Sequence, residues 1–96
     1  MLAIRLDETG KVFLSGRFDA SQVEKAKGVL DGIQSSTTID LGELEYISSA
    51  GLAVLLTTHK RLSDGGQTMM LLRVNQRIMN VLRYAGFDRI FAIETG

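Results

Sequence analysis

Within 96 residues, short apolar strand patterns repeatedly give way to helical ones. That alternation limits the fold more than any other property of the chain. A strand, a helix and a second strand in succession pack as a parallel strand pair with the helix laid across it. Thr37-Thr38-Ile39-Asp40-Leu41 is short and rich in β-branched residues, and it predicts a strand. After the acidic, polar stretch Gly42-Glu43-Leu44-Glu45, which reads as a turn, helical spacing runs from about Ser49 to Ser63. Leu52, Leu55, Leu56, His59 and Leu62 mark its inward face, and Asp64-Gly65-Gly66 stops it. Thr68 to Leu72 predicts a strand apolar enough to be buried on both faces, with Met69 and Met70 as core filler. Asn75 then caps a third helix, with Ile78, Val81, Leu82 and Ala85 inward and Gly86 at its end. Arg89 to Ile93 makes a last short strand.

The first third of the chain supplies a hairpin and one more helix. Ala3 to Leu6 and Lys11 to Ser15 read as strands joined by the turn residues Asp7-Glu8-Thr9-Gly10. Gly16-Arg17-Phe18-Asp19 leads away from the second strand. Ala20 to Val23 opens a helix with Asp19 or Ser21 as its cap, and Val23, Ala26, Leu30 and Ile33 form its buried stripe. Gln34-Ser35-Ser36 ends it. The order ββαβαβαβ specifies an α/β fold: residues 1–96 as one domain, a mixed sheet of four or five strands, and about three helices.

Several classes of function are disfavoured by composition. No apolar run approaches the roughly 20 residues of a membrane span, and Met1 to Asp7 does not have the pattern of a secretion signal. Cysteine is absent, which removes thiolate metal sites and disulfides and fits a reducing cytoplasm. A formal net charge of zero argues against nucleic acid as the main partner, since phosphate backbones demand clustered basic surface. Arg73, Arg77, Arg83 and Arg89 make the C-terminal third basic in patches, which solvated helix faces explain.

Ser48 and Ser49 stand where the strand pattern of residues 37–41 has given way to a helix. The plain reading is an N-cap, in which a serine oxygen accepts from an unpaired backbone N–H. The functional reading is a phosphoacceptor or partner contact, because the positive pole of a helix tolerates a phosphate there. A nucleophile is excluded on distance. His59, the one histidine, is ten residues away on the same helix, which at a rise of about 1.5 Å per residue is about 15 Å. A metal site needs more donors than one histidine offers, and Gly65-Gly66 lacks the Lys-Ser/Thr of a phosphate loop. Asp19 and Asp40 are the carboxylates of interest, each placed by the pattern at a strand end, with a helix cap and a turn stabiliser as their plain readings.

Three pieces of the chain together resemble a STAS domain, specifically a small stand-alone anti-sigma factor antagonist. They are Leu14-Ser15-Gly16-Arg17-Phe18-Asp19; the segment from Ile39-Asp40-Leu41 through Tyr46-Ile47-Ser48-Ser49-Ala50-Gly51-Leu52 to Leu56; and Gly65-Gly66 with Val81-Leu82 and Gly86-Phe87-Asp88-Arg89-Ile90-Phe91. The resemblance implies a non-enzymatic partner switch without a cofactor. Its partners would be an anti-sigma factor that is also a serine kinase of the histidine-kinase-like ATPase type, and a serine phosphatase. It would act as a cytoplasmic monomer, binding the kinase when unphosphorylated and leaving it when phosphorylated. Carried over by position, the acceptor falls on Ser49 and its acidic neighbour on Asp19, with Glu45, Ser48, Ala50 and Gly51 completing the partner contact. Many family members have Asp where Ser48 stands and Ser or Thr where Ala50 stands, which leaves Ser48 as a second candidate acceptor. After the last strand pattern the family's terminal helix is expected to be missing or very short. The alternative is a constitutive, unphosphorylated STAS binding module of a transporter complex or signalling scaffold.

Overall fold

The computed structural model describes residues 1–95. Strands β1 (Leu2–Leu6) and β2 (Val12–Phe18) form the antiparallel hairpin. Helix α1 (Val23–Leu30) leads to β3 (Thr37–Ile47), α2 (Ser49–Asp64) to β4 (Met69–Val74), and α3 (Gln76–Ala85) to β5 (Ala92–Thr95). Short 3-10 turns sit at Ala20–Gln22 and Phe87–Arg89. The sheet is mixed, in the order β1-β2-β3-β4-β5, and every pair after the hairpin is parallel.

This strand order has a consequence for the site. Each crossover steps to the next strand in the same direction, so right-handed connections place all three helices on one face of the sheet. The core lies between that face and the helices, with Leu14, Phe18, Leu30, Ile39, Leu41, Leu55, Leu71 and Ile78 all sealed in it. The opposite face meets solvent. Burial in β4 accordingly alternates from Met69 to Leu72, and Met70 is 36% exposed rather than buried as its apolar run predicts. The order never reverses, so the sheet lacks the switch-point crevice where open α/β sheets usually hold ligands.

Several boundaries differ from the sequence reading. The expected turn at Gly42–Glu45 is strand, since β3 continues to Ile47. Two register shifts against β2 bring Leu41, Leu44 and Ile47, three residues apart, all into the core. Pairing with β4 stops at Asp40 opposite Leu72. Beyond it, the Asn75 side chain donates to the carbonyls of Leu41 (3.4 Å) and Leu44 (2.9 Å) while its oxygen caps α3. Asp40 is therefore in mid-strand and 3% exposed, not at a strand end. In the same way β2 runs on to Phe18, whose buried side chain keeps the strand paired with β3 as far as Ile47.

Helix α1 is shorter than its stripe suggests and ends at Leu30. Ile33 is buried from the following loop. At the chain's C-terminal side, Phe87–Arg89 is a 3-10 turn and Phe91 is buried against the rings of His59 and Phe87, so β5 begins only at Ala92. In α3 it is Met79, not Ala85, that joins the core.

Candidate functional site

Ser48 and Ser49 have separate roles in the structure. Ser48 has extended backbone and is the N-cap of α2: its Oγ accepts from Gly51 N at 3.1 Å, and its carbonyl accepts from Leu52 N at 2.9 Å. Its own N–H donates to the carbonyl of Phe18 at 2.9 Å, which ties the start of α2 to the end of β2. Ser49 is the first helical residue and its side chain is exposed, whereas Ser48 is half-buried. The backbone N–H groups of Ser49 and Ala50 belong to the first helical turn, where no preceding turn supplies carbonyls to accept from them.

Gly51 sets how tightly this turn packs. A Cβ at that position would lie 2.9 Å from Ile47 Cγ1 and 3.0 Å from both Phe18 Cγ and the Phe18 carbonyl oxygen. Only glycine lets the helix start approach the strand end this closely, and this approach leaves Ser49 outermost.

Asp19 follows Phe18 and so joins the same rim. Its Oδ1 accepts from Ser21 N (3.0 Å) and the Ser21 hydroxyl (2.5 Å), capping the 3-10 turn rather than α1. The cap position of α1 is Gln22, which makes no side-chain capping bond. Hydrogen bonding from Ser21 holds the Asp19 carboxyl below the usual carboxylate range. The carboxylate is thus charged at neutral pH beside the helix start.

The structure therefore brings Asp19, Ser48, Ser49, Ala50 and Gly51 to one edge. Glu45 is exposed three residues before Ser48, in the overhanging part of β3. It lines one groove with Met1, Ser15 and Lys25 and another with Asn75 and Arg77; neither includes Ser48 or Ser49. Arg77 reaches the Glu45 carbonyl at 3.4 Å. The rim has two further features that the sequence reading missed. Arg17 stacks over the Tyr46 ring at 4.4 Å. A groove of about 280 Å³ runs between α1 and α2, lined by Val23, Lys27, Ala50, Ala53 and Thr57. The small residues at 50, 53 and 57, spaced on one face of α2, were the available signal for that groove. His59 packs edge-on against Phe91 at 5.4 Å, further down α2, so no imidazole stands by either serine hydroxyl.

With this geometry the chain can be set beside known proteins. The family model described as "Mlab, STAS domain" matches residues 3–94. The chain belongs to the STAS family. Among curated STAS relatives, BtrV of Bordetella bronchiseptica, named as a candidate anti-sigma factor antagonist, is 34% identical over 74 residues. Those residues are 77% of this chain and only 58% of BtrV. The anti-sigma-B factor antagonist of Listeria monocytogenes is 28% identical over 87 residues, 86% of this chain and 76% of that protein. In shape, the chain matches the Bacillus cell fate determinant SpoIIAA in its phosphorylated form with a TM-score of 0.69, at 16% identity, over 99% of this chain and 92% of SpoIIAA. That last likeness is one of fold.

Proposed function

We propose that this STAS protein is an anti-sigma factor antagonist that switches partners through phosphorylation of Ser49. One observation carries the reading: of two adjacent serines at the start of α2, Ser48 spends its oxygen on the cap and Ser49 leaves its own exposed. Esterifying Ser49 requires no change in the capping bonds. The phosphate gains the unpaired N–H groups and positive pole of a 16-residue helix, so the fold survives modification. It also adds nearly two negative charges close to the Asp19 carboxylate. A partner docked over the rim then meets like-charge repulsion and the cost of desolvating the phosphate. The names of the Bordetella and Listeria relatives, and the existence of a phosphorylated SpoIIAA of the same fold, support this reading.

The partner is an anti-sigma factor acting as a serine kinase of the histidine-kinase-like ATPase type, reset by a serine phosphatase. Asp19 and Ala50 form its contact, with Gly51 buried beneath them rather than touching the partner and Glu45 at the margin. The protein acts by binding rather than by catalysis, as a monomer in the cytoplasm. Intact-mass and peptide analysis of protein isolated from its native cells tests the switch. A single added phosphate on the Ser49 peptide, absent from Ser49→Ala, is expected. Phosphate that persists in Ser49→Ala and vanishes in Ser48→Ala would move the acceptor. An unmodified chain under every growth condition would instead leave a constitutive STAS binding module of a transporter complex or scaffold.

A further inference from the structure

The sheet face without helices carries a cavity of about 270 Å³ between β1 and β3, floored by Phe13 and Ser15 of β2 and flanked by Arg5, Asp40, Glu43 and Arg73. We propose that this cavity binds a small oxyanion, a carboxylate or phosphate group, held between the guanidinium groups of Arg5 and Arg73. Each arginine makes a contact that leaves its terminal N–H groups without a protein acceptor among the described residues. Arg73 is bound through Nε alone, which donates to Asp40 Oδ1 at 3.1 Å and Oδ2 at 2.9 Å. Among the described residues, no protein acceptor takes its terminal N–H groups. Arg5 lies over the Phe13 ring, 4.1 Å from the centroid. Stacking uses the flat of a guanidinium and leaves its in-plane donors outward, the arrangement that grips carboxylate or phosphate by two parallel bonds.

The backbone is committed to this arrangement as well. Arg73 has φ +51, the one non-glycine residue with positive φ among those described. Such a conformation is strained for a residue other than glycine, and residues that keep it cluster at functional sites. Gly42 leaves β3 bare beneath the guanidinium, since a Cβ there would lie 2.5 Å from Arg73 Nη2. Asp40 does not repel the proposed ligand, because its charge is matched by Arg73, by Lys11 at 3.7 Å and by the Gly42 N–H at 2.8 Å. Glu43 is exposed, has no cation within ion-pair distance among the described residues, and opposes an anion at the cavity wall. Two guanidinium forks and the Ser15 hydroxyl, set against Glu43 as the one lining carboxylate without a paired cation among the described residues, favour an oxyanion. The cavity faces away from α2, so this inference does not rest on the Ser49 reading.

The test follows the arginine side-chain Nε–Hε signals of the ¹⁵N-labelled chain in heteronuclear spectra. Inorganic phosphate and acetate are each titrated at constant ionic strength. Saturable shifts at Arg5 and Arg73, with Arg77 on α3 unmoved, are expected. Arg5→Gln should weaken binding about tenfold, the loss of one charged hydrogen-bonding partner. Arg5→Lys, which keeps the charge but not the fork, should also weaken it and guards against a folding defect in the first variant. Glu43→Gln should tighten binding severalfold. Stronger binding of phosphate assigns the site to phosphoryl groups, and stronger binding of acetate assigns it to carboxylates. Shifts that grow linearly without saturating, that appear equally at Arg77, or that are unchanged in Arg5→Gln overturn the proposal.

Discussion

The serine rim at the start of α2 and the Asp40–Arg73 cluster on the open sheet face solve opposite problems. At the rim, polar groups stay in water and the buried parts are apolar: Phe18, Ile47 and Gly51 hold the turn while Ser49 and its neighbours remain accessible. On the open face a carboxylate with 3% exposure is held under a guanidinium whose side chain is 54% exposed. Each place depends on a glycine, but with different neighbours. At Gly51 the crowding atoms include the Phe18 backbone carbonyl, whereas at Gly42 they are the far end of a flexible arginine. Backbone cannot yield and an arginine tip can. The rim is therefore the rigid element despite its exposed hydroxyls, and the charged cluster is the adaptable one.

The largest expected effect attacks the rigid side of that contrast. Gly51→Val should destabilise the protein by about 3 kcal/mol, the upper end for overpacking, because the added carbons meet Ile47 and the Phe18 backbone together. Gly42→Val, read by the same thermal or urea unfolding, should cost far less, since Arg73 can swing aside. Equal losses would erase the distinction between the two sites. Next comes Asp40→Ala, expected to cost about 2 kcal/mol at pH 7: it strips the Gly42 N–H and Arg73 of their acceptor, discounted because Arg73 is half in solvent.

That Asp40 contribution has a defined pH dependence. Burial pushes its carboxyl upward, but the Gly42 N–H, the Arg73 hydrogen bond, and the charges of Arg73 and Lys11 together leave it below the ordinary value. A carboxyl depressed by folding stabilises the native state fully above its unfolded pKa of about 3.9 and stops doing so as pH falls through the native value. The gap in stability between wild type and Asp40→Ala should therefore stay constant from neutral pH to about 5 and narrow at lower pH. Asp7 and Asp19, also depressed, are common to both proteins and cancel in the difference. A gap that widens in acid would mean that Asp40 is held neutral rather than charged.

Periodicity made the element order legible. Three amphipathic helices, the hairpin and the Thr37 strand all stand where apolar spacing puts them, because each buries a stripe that the sequence alone displays. What could not be read depends on partners distant in the chain. Gly42-Glu43-Leu44-Glu45 has turn composition, yet it is strand because β2 pairs with it through two register shifts and Asn75, some thirty residues on, takes the carbonyls of Leu44 and of Leu41 just before it. The Asp40–Arg73 pair spans a similar separation and a left-handed backbone that no propensity favours. The exposure of Met70 follows from strand order, which a run of apolar letters does not encode. The serine pair, by contrast, could be located at once as a helix start, because capping is local; only which hydroxyl is spent on the cap required coordinates.

The smallest expected effects separate those two hydroxyls. Ser48→Ala removes the acceptor for Gly51 N and should lower stability by about 1 kcal/mol, the usual value of an N-cap. Ser49→Ala removes an exposed group that makes no capping bond and should stay within about 0.5 kcal/mol of wild type. Ser49→Asp places a charge at the helix start and should leave the fold equally stable or slightly firmer, an increment of about 0.3–1 kcal/mol at low salt. The three variants form one argument, since stability should follow position 48 and any switching should follow position 49. If Ser49→Ala unfolded as easily as Ser48→Ala, the second hydroxyl would also be structural, and it would no longer be free to carry a phosphate without disturbing the helix it begins.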